Sequence, residues 1–285
     1  LRRLLRSRMT TPESTTRSYS PVCITGMHRS GTSMVARLLN LCGLYLGDEA
    51  DFTPPGQVNP EGFWENRRFV RLNDEILHRL GRAWDLPFDI PPGWEASPEI
   101  RPLQAEGAAL VEQYRYAAPW GWKDPRNSLT LPFWRRLLPE LRLLVCLRNP
   151  IEVAQSLHRR GSSSLRFGYE LWLSYSRQIL AAVSPEEAVF THYESYFHNP
   201  YDELGRVAGL LDLDVAGDTL ARACAIVIGA HRHHATQAGE LFRAGVPAQV
   251  IELYAELGTY AGPVYQAVLC QAGQPATQGP EQRSP

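Results

Sequence analysis

Residues 22–33 (VCITGMHRSGTS) constrain the fold of this chain more than any other segment. A short apolar run leads into a glycine-containing loop, and the apolar, helix-like stretch MVARLLNL follows at once. A strand, a loop and a helix in this order direct backbone N–H groups and the positive end of a helix dipole toward an anion. The segment therefore predicts a phosphate-binding loop inside an α/β fold.

The loop departs from the nucleoside triphosphate motif G-x4-G-K-[ST] at one position. Gly26 and Gly31 keep the motif spacing, but Thr32 stands where the motif requires lysine. The cation lies three residues earlier as Arg29. A loop that keeps the phosphate cradle without the γ-phosphate lysine is suited to a different phospho-anion.

Strand-like and helix-like segments alternate along the chain. Apolar residues recurring every third or fourth position predict helices from about Trp64 to Leu80 and through Phe167 to Val183. Strands are predicted at Val22–Thr25, Trp120–Lys123, Leu143–Leu147 and Ala188–Thr191. This order predicts an α/β fold, a P-loop-like doubly wound parallel sheet flanked by helices, followed by a helical C-terminal region.

Composition sets the expected organisation. With 44% hydrophobic residues, the chain can bury one core, and we expect a disordered basic arm over 1–20, one α/β domain over 21–270 and a flexible tail over 271–285. The net charge of −1 gives no indication of nucleic-acid binding. No apolar run approaches the ~18 residues of a membrane helix, so no transmembrane segment is expected. Five cysteines without a CxxC pair predict free thiols and a cytoplasmic location.

Lys123 is the only lysine among 29 basic residues. It lies in WGWKDPR, directly after a predicted strand. The alternative to a functional role is that one lysine remains at this position by chance. We favour a site that needs a compact ammonium, because a planar guanidinium repositions and donates protons poorly.

Arg148 and Ser156 are expected to bind a second phosphate. The all-apolar strand Leu143–Leu147 ends in Arg148, whereas a nucleotide-hydrolysing P-loop protein often has an Mg²⁺-binding aspartate there. Ser156 follows eight residues later, in a predicted helix. An ion pair of Arg148 with a neighbouring acid is the structural alternative.

The chain resembles the sulfotransferases that use 3′-phosphoadenosine 5′-phosphosulfate (PAPS). Four elements occur in the family's order. They are RSGTS at 29–33, KDP at 123–125, Arg148-x7-Ser156, and Tyr193-Glu194 after a strand. KDP is similar to the lysine element of tyrosylprotein sulfotransferases and many bacterial relatives. The resemblance spans roughly residues 21–200 and implies a PAPS-dependent transferase without a metal.

The resemblance implies a role for each matching position. The 5′-phosphosulfate would lie on the loop, and Arg148, Ser156 and Tyr193 would hold the rest of the nucleotide, the first two at its 3′-phosphate. Lys123 would neutralise charge at the sulfuryl group as its bond breaks. The loop residues expected to contact the donor are Gly26, His28, Arg29, Ser30, Gly31, Thr32 and Ser33.

A general base must accept the proton of the acceptor hydroxyl. Some branches of the family use histidine and others glutamate, and no K-x-H element follows Lys123. We therefore expect Glu65, or else Glu61, to be the base, with His28 as a third option. As an alternative, Glu65 would be a carboxylate that only stabilises a helix N-terminus.

Other features leave alternatives open. The segment HRHH at 231–234 lacks regular metal-ligand partners, so a basic turn is preferred to a zinc site. Several of the seven tryptophans lie near the expected acceptor side, where one or two could stack on a sugar or aromatic acceptor. The expected acceptor is a hydroxyl of a carbohydrate, glycolipid or small metabolite. A non-catalytic module that binds 3′-phosphonucleotides and, less favoured, a P-loop kinase are the alternative functions.

Overall fold

The computed structural model describes residues 19–54, 56, 62–87, 89–117, 119–161, 164–227, 241 and 244–272 of the chain. Most of the predicted arm and tail, the HRHH segment and Glu61 lie outside these residues. The predicted domain boundaries therefore stay predictions.

Four parallel strands form the central sheet. In chain order they are β1 (Val22–Thr25), β2 (Gly121–Lys123), β3 (Arg142–Leu147) and β4 (Ala188–His192). Their order across the sheet is β2-β1-β3-β4, so β1 lies between β2 and β3. Cys23 pairs in register with Trp122 on one side and with Leu143 on the other. The strand order reverses beside β1, which gives the doubly wound arrangement that the sequence predicts.

Helices account for most of the remaining elements. Before β3 these are α1 (Thr32–Leu41), α2 (Arg67–Arg79), α3 (Arg101–Glu112) and α4 (Asn127–Leu137). Around β4 they are α5 (Pro150–His158), α6 (Leu165–Ala182), α7 (Ser195–His198), α8 (Pro200–Leu210) and α9 (Gly217–Cys224). The C-terminal pair is α10 (Ala248–Thr259) and α11 (Pro263–Ala272). None of the described helices is both long and apolar enough to cross a membrane.

Two apolar clusters cover the two faces of the sheet. Successive side chains of a strand point to opposite faces, so Cys23 packs with one cluster and Val22 and Ile24 with the other. The first cluster contains residues of α2, α3, α4, α6 and α10, and the second contains residues of α1, α8 and α9. All four strands are almost wholly buried because helices lie on both faces.

Helix α2 begins later than the apolar pattern predicts. Asn66 is its N-cap, and the Asn66 side chain accepts a hydrogen bond of 3.1 Å from the Arg68 N–H. Trp64 has a φ of 57°, which is unusual for a bulky residue, so it cannot start the helix. The expected start near Trp64 was wrong, and Glu65 lies just ahead of the helix rather than in its first turn.

Candidate active site

The predicted functional residues gather at the carboxyl edge of the sheet. The loop follows β1, Lys123 ends β2, Arg148 follows β3 and Tyr193 follows β4. Parallel strands bring their carboxyl ends to one edge, which is where ligands bind in such sheets. A cavity of about 670 Å³ opens at this edge.

The loop after β1 requires glycine at two close approaches. Gly26 has a φ of 133°, and a Cβ there would lie 2.3 Å from the Cys146 carbonyl oxygen. Gly31 has a φ of 86°, and its Cβ would lie 2.3 Å from the Tyr193 ring. Only glycine lets the backbone pass so near β3 and Tyr193. Gly31, Thr32 and Ser33 line the cavity at the start of α1, where an anion site would lie.

Arg29 connects the loop to helix α5. Its Nε donates a 2.8 Å hydrogen bond to Ser156 Oγ, and its carbonyl accepts one of 3.1 Å from Arg148 Nη1. Arg29 has a φ of 71°, and such backbone strain persists where the surrounding structure enforces it. Burial together with the charges of Arg160, Arg148 and Arg159 lowers the pKa of Arg29 to about 10. Crowded guanidinium groups of this kind favour a polyanion as their ligand.

Arg148 is fixed by contacts on three sides. Its Nε donates to Glu152 Oε2 at 2.7 Å, and its carbonyl accepts from Trp172 Nε1 at 3.3 Å. Its guanidinium lies 4.2 Å from the centroid of the Tyr193 ring. The structural alternative of an ion pair is thus present, and Arg148 still lines the cavity.

Lys123 and Glu65 form a buried ion pair in the cavity wall. Lys123 Nζ lies 2.6 Å from Glu65 Oε1, and the two side chains are only 1% and 11% exposed. Glu65 reaches this position from the segment ahead of α2, where Gly62 and Trp64 both have positive φ. Ser33 Oγ donates to the Phe63 carbonyl at 3.1 Å, which ties that segment to the phosphate loop. Lys123, the cation expected at the sulfuryl group, and Glu65, the expected base, are therefore direct neighbours.

His28 is a buried residue of the loop that also lines the cavity. Its ring centroid is 4.5 Å from that of Trp84 and 5.8 Å from that of Tyr175. His28 Nε2 is buried and has no hydrogen-bond partner among the described residues. Burial, reinforced by the charges of Arg126 and Lys123, lowers the pKa of His28 well below its ordinary value. The imidazole is therefore neutral at pH 7, and its unpaired Nε2 is buried within a residue that lines the cavity.

Sequence reasoning missed three cations of the same cavity, Arg37, Arg126 and Arg160. Arg126 lies 2.6 Å from Asp74 Oδ1 through Nε and donates to Asp124 Oδ1 at 3.0 Å through Nη1. Despite its burial, the carboxylates of Asp124, Asp74 and Glu65 raise the pKa of Arg126. Burial lowers the pKa of Arg160, and Glu65 opposes that shift. Two features of the sequence could have pointed to two of these arginines: Arg126 lies in the KDPR segment, and Arg160 follows four residues after Ser156.

The structure brings most of the predicted site residues to one cavity. Ser156 joins this group through its hydrogen bond to Arg29, while Gly26 and Ser30 are not among the residues that line the cavity. Among the described residues no cluster of acidic, histidine and cysteine side chains could hold a metal ion. The predicted residues that line the cavity are His28, Arg29, Gly31, Thr32, Ser33, Glu65, Lys123, Arg148 and Tyr193.

These features define an α/β protein with a P-loop-like fold and an arginine-rich cavity at the carboxyl edge of its sheet. A profile described as the Sulfotransferase family matches residues 21–217. The chain belongs to this family.

The fold is similar to that of a solved structure. The sulfotransferase domain of the Synechococcus PCC 7002 olefin synthase matches with a TM-score of 0.52 and 15% identity, over 86% of this chain and 97% of that one. Sulfotransferase STF9 from Mycobacterium avium gives a TM-score of 0.45 and 17% identity, over 89% and 76% of the two chains. No curated protein matched the sequence.

Proposed function

We propose that this protein transfers a sulfuryl group from PAPS to an acceptor hydroxyl of a carbohydrate, glycolipid or small metabolite. The observation that carries the proposal is the crowding of Arg29, Arg148 and Arg160 on one cavity wall. Such crowding is costly unless a ligand supplies several negative charges. PAPS carries a 3′-phosphate and a 5′-phosphosulfate, and the cavity is within the size range of nucleotide-sized ligands.

The residues present fit the donor at both ends. The backbone from Gly26 to Ser33 would hold the 5′-phosphosulfate at the start of α1, where Gly31, Thr32 and Ser33 line the cavity. Arg148, with Ser156 behind Arg29, would hold the 3′-phosphate, and Tyr193 would lie beside the nucleotide. The donor supplies an activated sulfuryl group, and the protein supplies positioning and charge.

Lys123 and Glu65 would supply the chemical groups of the reaction. Glu65 would accept the proton of the acceptor hydroxyl through its carboxylate. Lys123 would place its ammonium where negative charge develops on the leaving oxygen, which stabilises the transition state. A non-catalytic binding module has no need of a buried lysine–carboxylate pair in its cavity wall.

Glu61 and His28 remain alternative bases. Glu61 lies outside the described residues, and His28 offers an unpaired nitrogen. Glu65→Gln should leave nucleotide binding intact while transfer falls roughly 10²–10⁴-fold. Near-normal transfer in Glu65→Gln would move the role to Glu61 or His28, which Glu61→Gln and His28→Asn distinguish.

Calorimetric titration tests the donor class. The desulfated product, 3′-phosphoadenosine 5′-phosphate (PAP), should bind at least about 10-fold more tightly than AMP, because its 3′-phosphate adds charge-assisted hydrogen bonds to Arg148. Ser156→Ala should reduce the difference in affinity between PAP and AMP. Equal affinity for PAP and AMP, or tight Mg²⁺-dependent binding of ATP, would refute the proposed donor site.

A further inference from the structure

The charges around the cavity limit what else can bind beside the donor. Among the described residues the wall contains one carboxylate, Glu65, and six cations. Glu152, Asp124 and Asp74 pair with two of those cations from behind. With these three carboxylates and Glu65 set against the six cations, the wall carries two net positive charges. The six cations are Arg29, Arg37, Lys123, Arg126, Arg148 and Arg160.

The proposed donor already exceeds that positive charge. With a 3′-phosphate, a 5′-phosphate and a sulfate, PAPS carries about four negative charges at pH 7. An anionic acceptor would add a further negative charge to a partly desolvated cavity, where like charges repel strongly. The wall therefore disfavours acidic acceptors once the donor is bound.

A separate part of the wall has the chemistry of an acceptor site. It consists of His28, Trp84 and Arg126, which we call the ring wall. Trp84 is half-buried, and its ring centroid lies 4.5 Å from that of His28 with the planes tilted by 43°. The Trp84 carbonyl accepts a hydrogen bond of 2.8 Å from Tyr175 Oη. This fixed aromatic side chain supplies a flat apolar surface to the cavity.

The polar groups of the ring wall suit an uncharged ligand. His28 Nε2 is buried without a partner among the described residues, and it can donate or accept a hydrogen bond according to tautomer. Arg126 is held rigidly by Asp74 and Asp124, which together outweigh its positive charge. Its guanidinium therefore offers directed N–H donors rather than net attraction for an anion.

We propose that the ring wall binds an uncharged ring alcohol, such as a neutral sugar or a phenol, and that the protein discriminates against acceptors bearing an anionic group. The inference deepens the proposed function and rests on it. The acceptor would stack on Trp84, hydrogen-bond to His28 and Arg126, and present its hydroxyl to Glu65.

Matched pairs of acceptors test this inference with sulfur-labelled PAPS. One pair is p-nitrophenyl glucoside and p-nitrophenyl glucuronide, which differ by one carboxylate. The other is naphthol and naphthol sulfonate. The neutral member of at least one pair should show a kcat/KM at least about 10-fold higher than its anionic partner. The pair that responds separates a sugar from a phenol as the acceptor.

Two substitutions test the residues involved. Asp74→Asn removes one carboxylate from behind Arg126 and should reduce the neutral-to-anionic ratio about 3-fold or more. Asp218→Asn, in an exposed pair with Arg222 on α9, is the matched control and should leave the ratio unchanged. Trp84→Ala should raise the KM of the neutral acceptor about 10-fold while PAP affinity stays within about two-fold. If Trp84→Ala does not fold, Trp84→Leu is measured in its place.

The outcomes separate this inference from the proposed function. Absence of PAP binding would refute the function itself. If PAP binds, equal or better use of the anionic members overturns the inference, and so does a lack of transfer to both neutral compounds. An unchanged acceptor KM in the Trp84 variants, or an unchanged ratio in Asp74→Asn, overturns the part played by the ring wall.

Discussion

The buried pair of Lys123 and Glu65 makes the sharpest prediction about this protein. Lys123→Met keeps the length and apolar stem of the side chain but removes its charge. The variant leaves the Glu65 carboxylate, 11% exposed, without the ammonium at 2.6 Å. Removing one partner of a buried pair costs about 3–5 kcal/mol.

The expected loss lies near the lower limit of that range. Glu65 lines an open cavity and also interacts electrostatically with Arg126 and Arg160, which partly compensate its charge. We therefore expect Lys123→Met to lower the free energy of unfolding by about 3 kcal/mol. In the double variant Lys123→Met/Glu65→Gln no unpaired charge remains, and the loss should shrink to about 1 kcal/mol.

Urea unfolding, followed by tryptophan fluorescence and extrapolated linearly, measures these differences. The exposed pair of Arg222 and Asp218, with side chains each 70% exposed, is the control, and Arg222→Met should give no measurable change. A coupling energy between Lys123 and Glu65 below about 0.5 kcal/mol would refute the reasoning, since residues in a buried pair should not behave additively.

Three further predictions concern the loop, the lysine and a buried histidine. Lys123→Arg should recover only part of the turnover lost in Lys123→Ala, because a guanidinium differs in shape and proton affinity; full activity in steady-state assays would contradict this. Gly31→Ala should abolish PAP binding in calorimetry, whereas Gly43→Ala should not. A Cβ at Gly31 would lie 2.3 Å from the Tyr193 ring, whereas a Cβ at Gly43 would have no neighbouring atom within 4 Å. Burial, aided by the charge of Arg148, lowers the pKa of His192 to about 3. The contribution of His192 to the free energy of unfolding is therefore complete above pH 6.5. It declines as the pH falls from 6.5 toward 3, by up to about 1.4 kcal/mol per pH unit. Urea unfolding of His192→Gln should show a weaker dependence on pH over that interval, and an unchanged dependence would contradict the assignment.

The sequence predicted the framework well because local patterns determine it. The apolar runs at Val22–Thr25 and Leu143–Leu147 lie within strands buried on both faces, and the stripe through Phe167 and Leu171 lies in α6. Helix α1 spans Thr32–Leu41, as expected from the pattern. In each case the periodicity of apolar residues reports which faces must be buried, and burial decides the element.

The start of α2 was not predictable in the same way. Its apolar stripe continues back to Trp64, but the backbone there turns through a positive φ before the Asn66 cap. Apolar spacing carries no information on φ, and contacts with the loop through Ser33 and Phe63 hold the observed conformation. A similar limit applied to Arg126, because its importance depends on Asp74 from another helix.

The sequence alone determined the elements and the kind of loop, since glycine spacing, apolar periodicity and the single lysine are local properties of the chain. Only the tertiary structure decided which charges face each other. It paired Lys123 with Glu65, which are 58 positions apart, and it crowded Arg29 against Arg148 and Arg160. The physical reason is that electrostatic energy depends on distance and burial, and both are set when parallel strands bring their carboxyl ends to one edge.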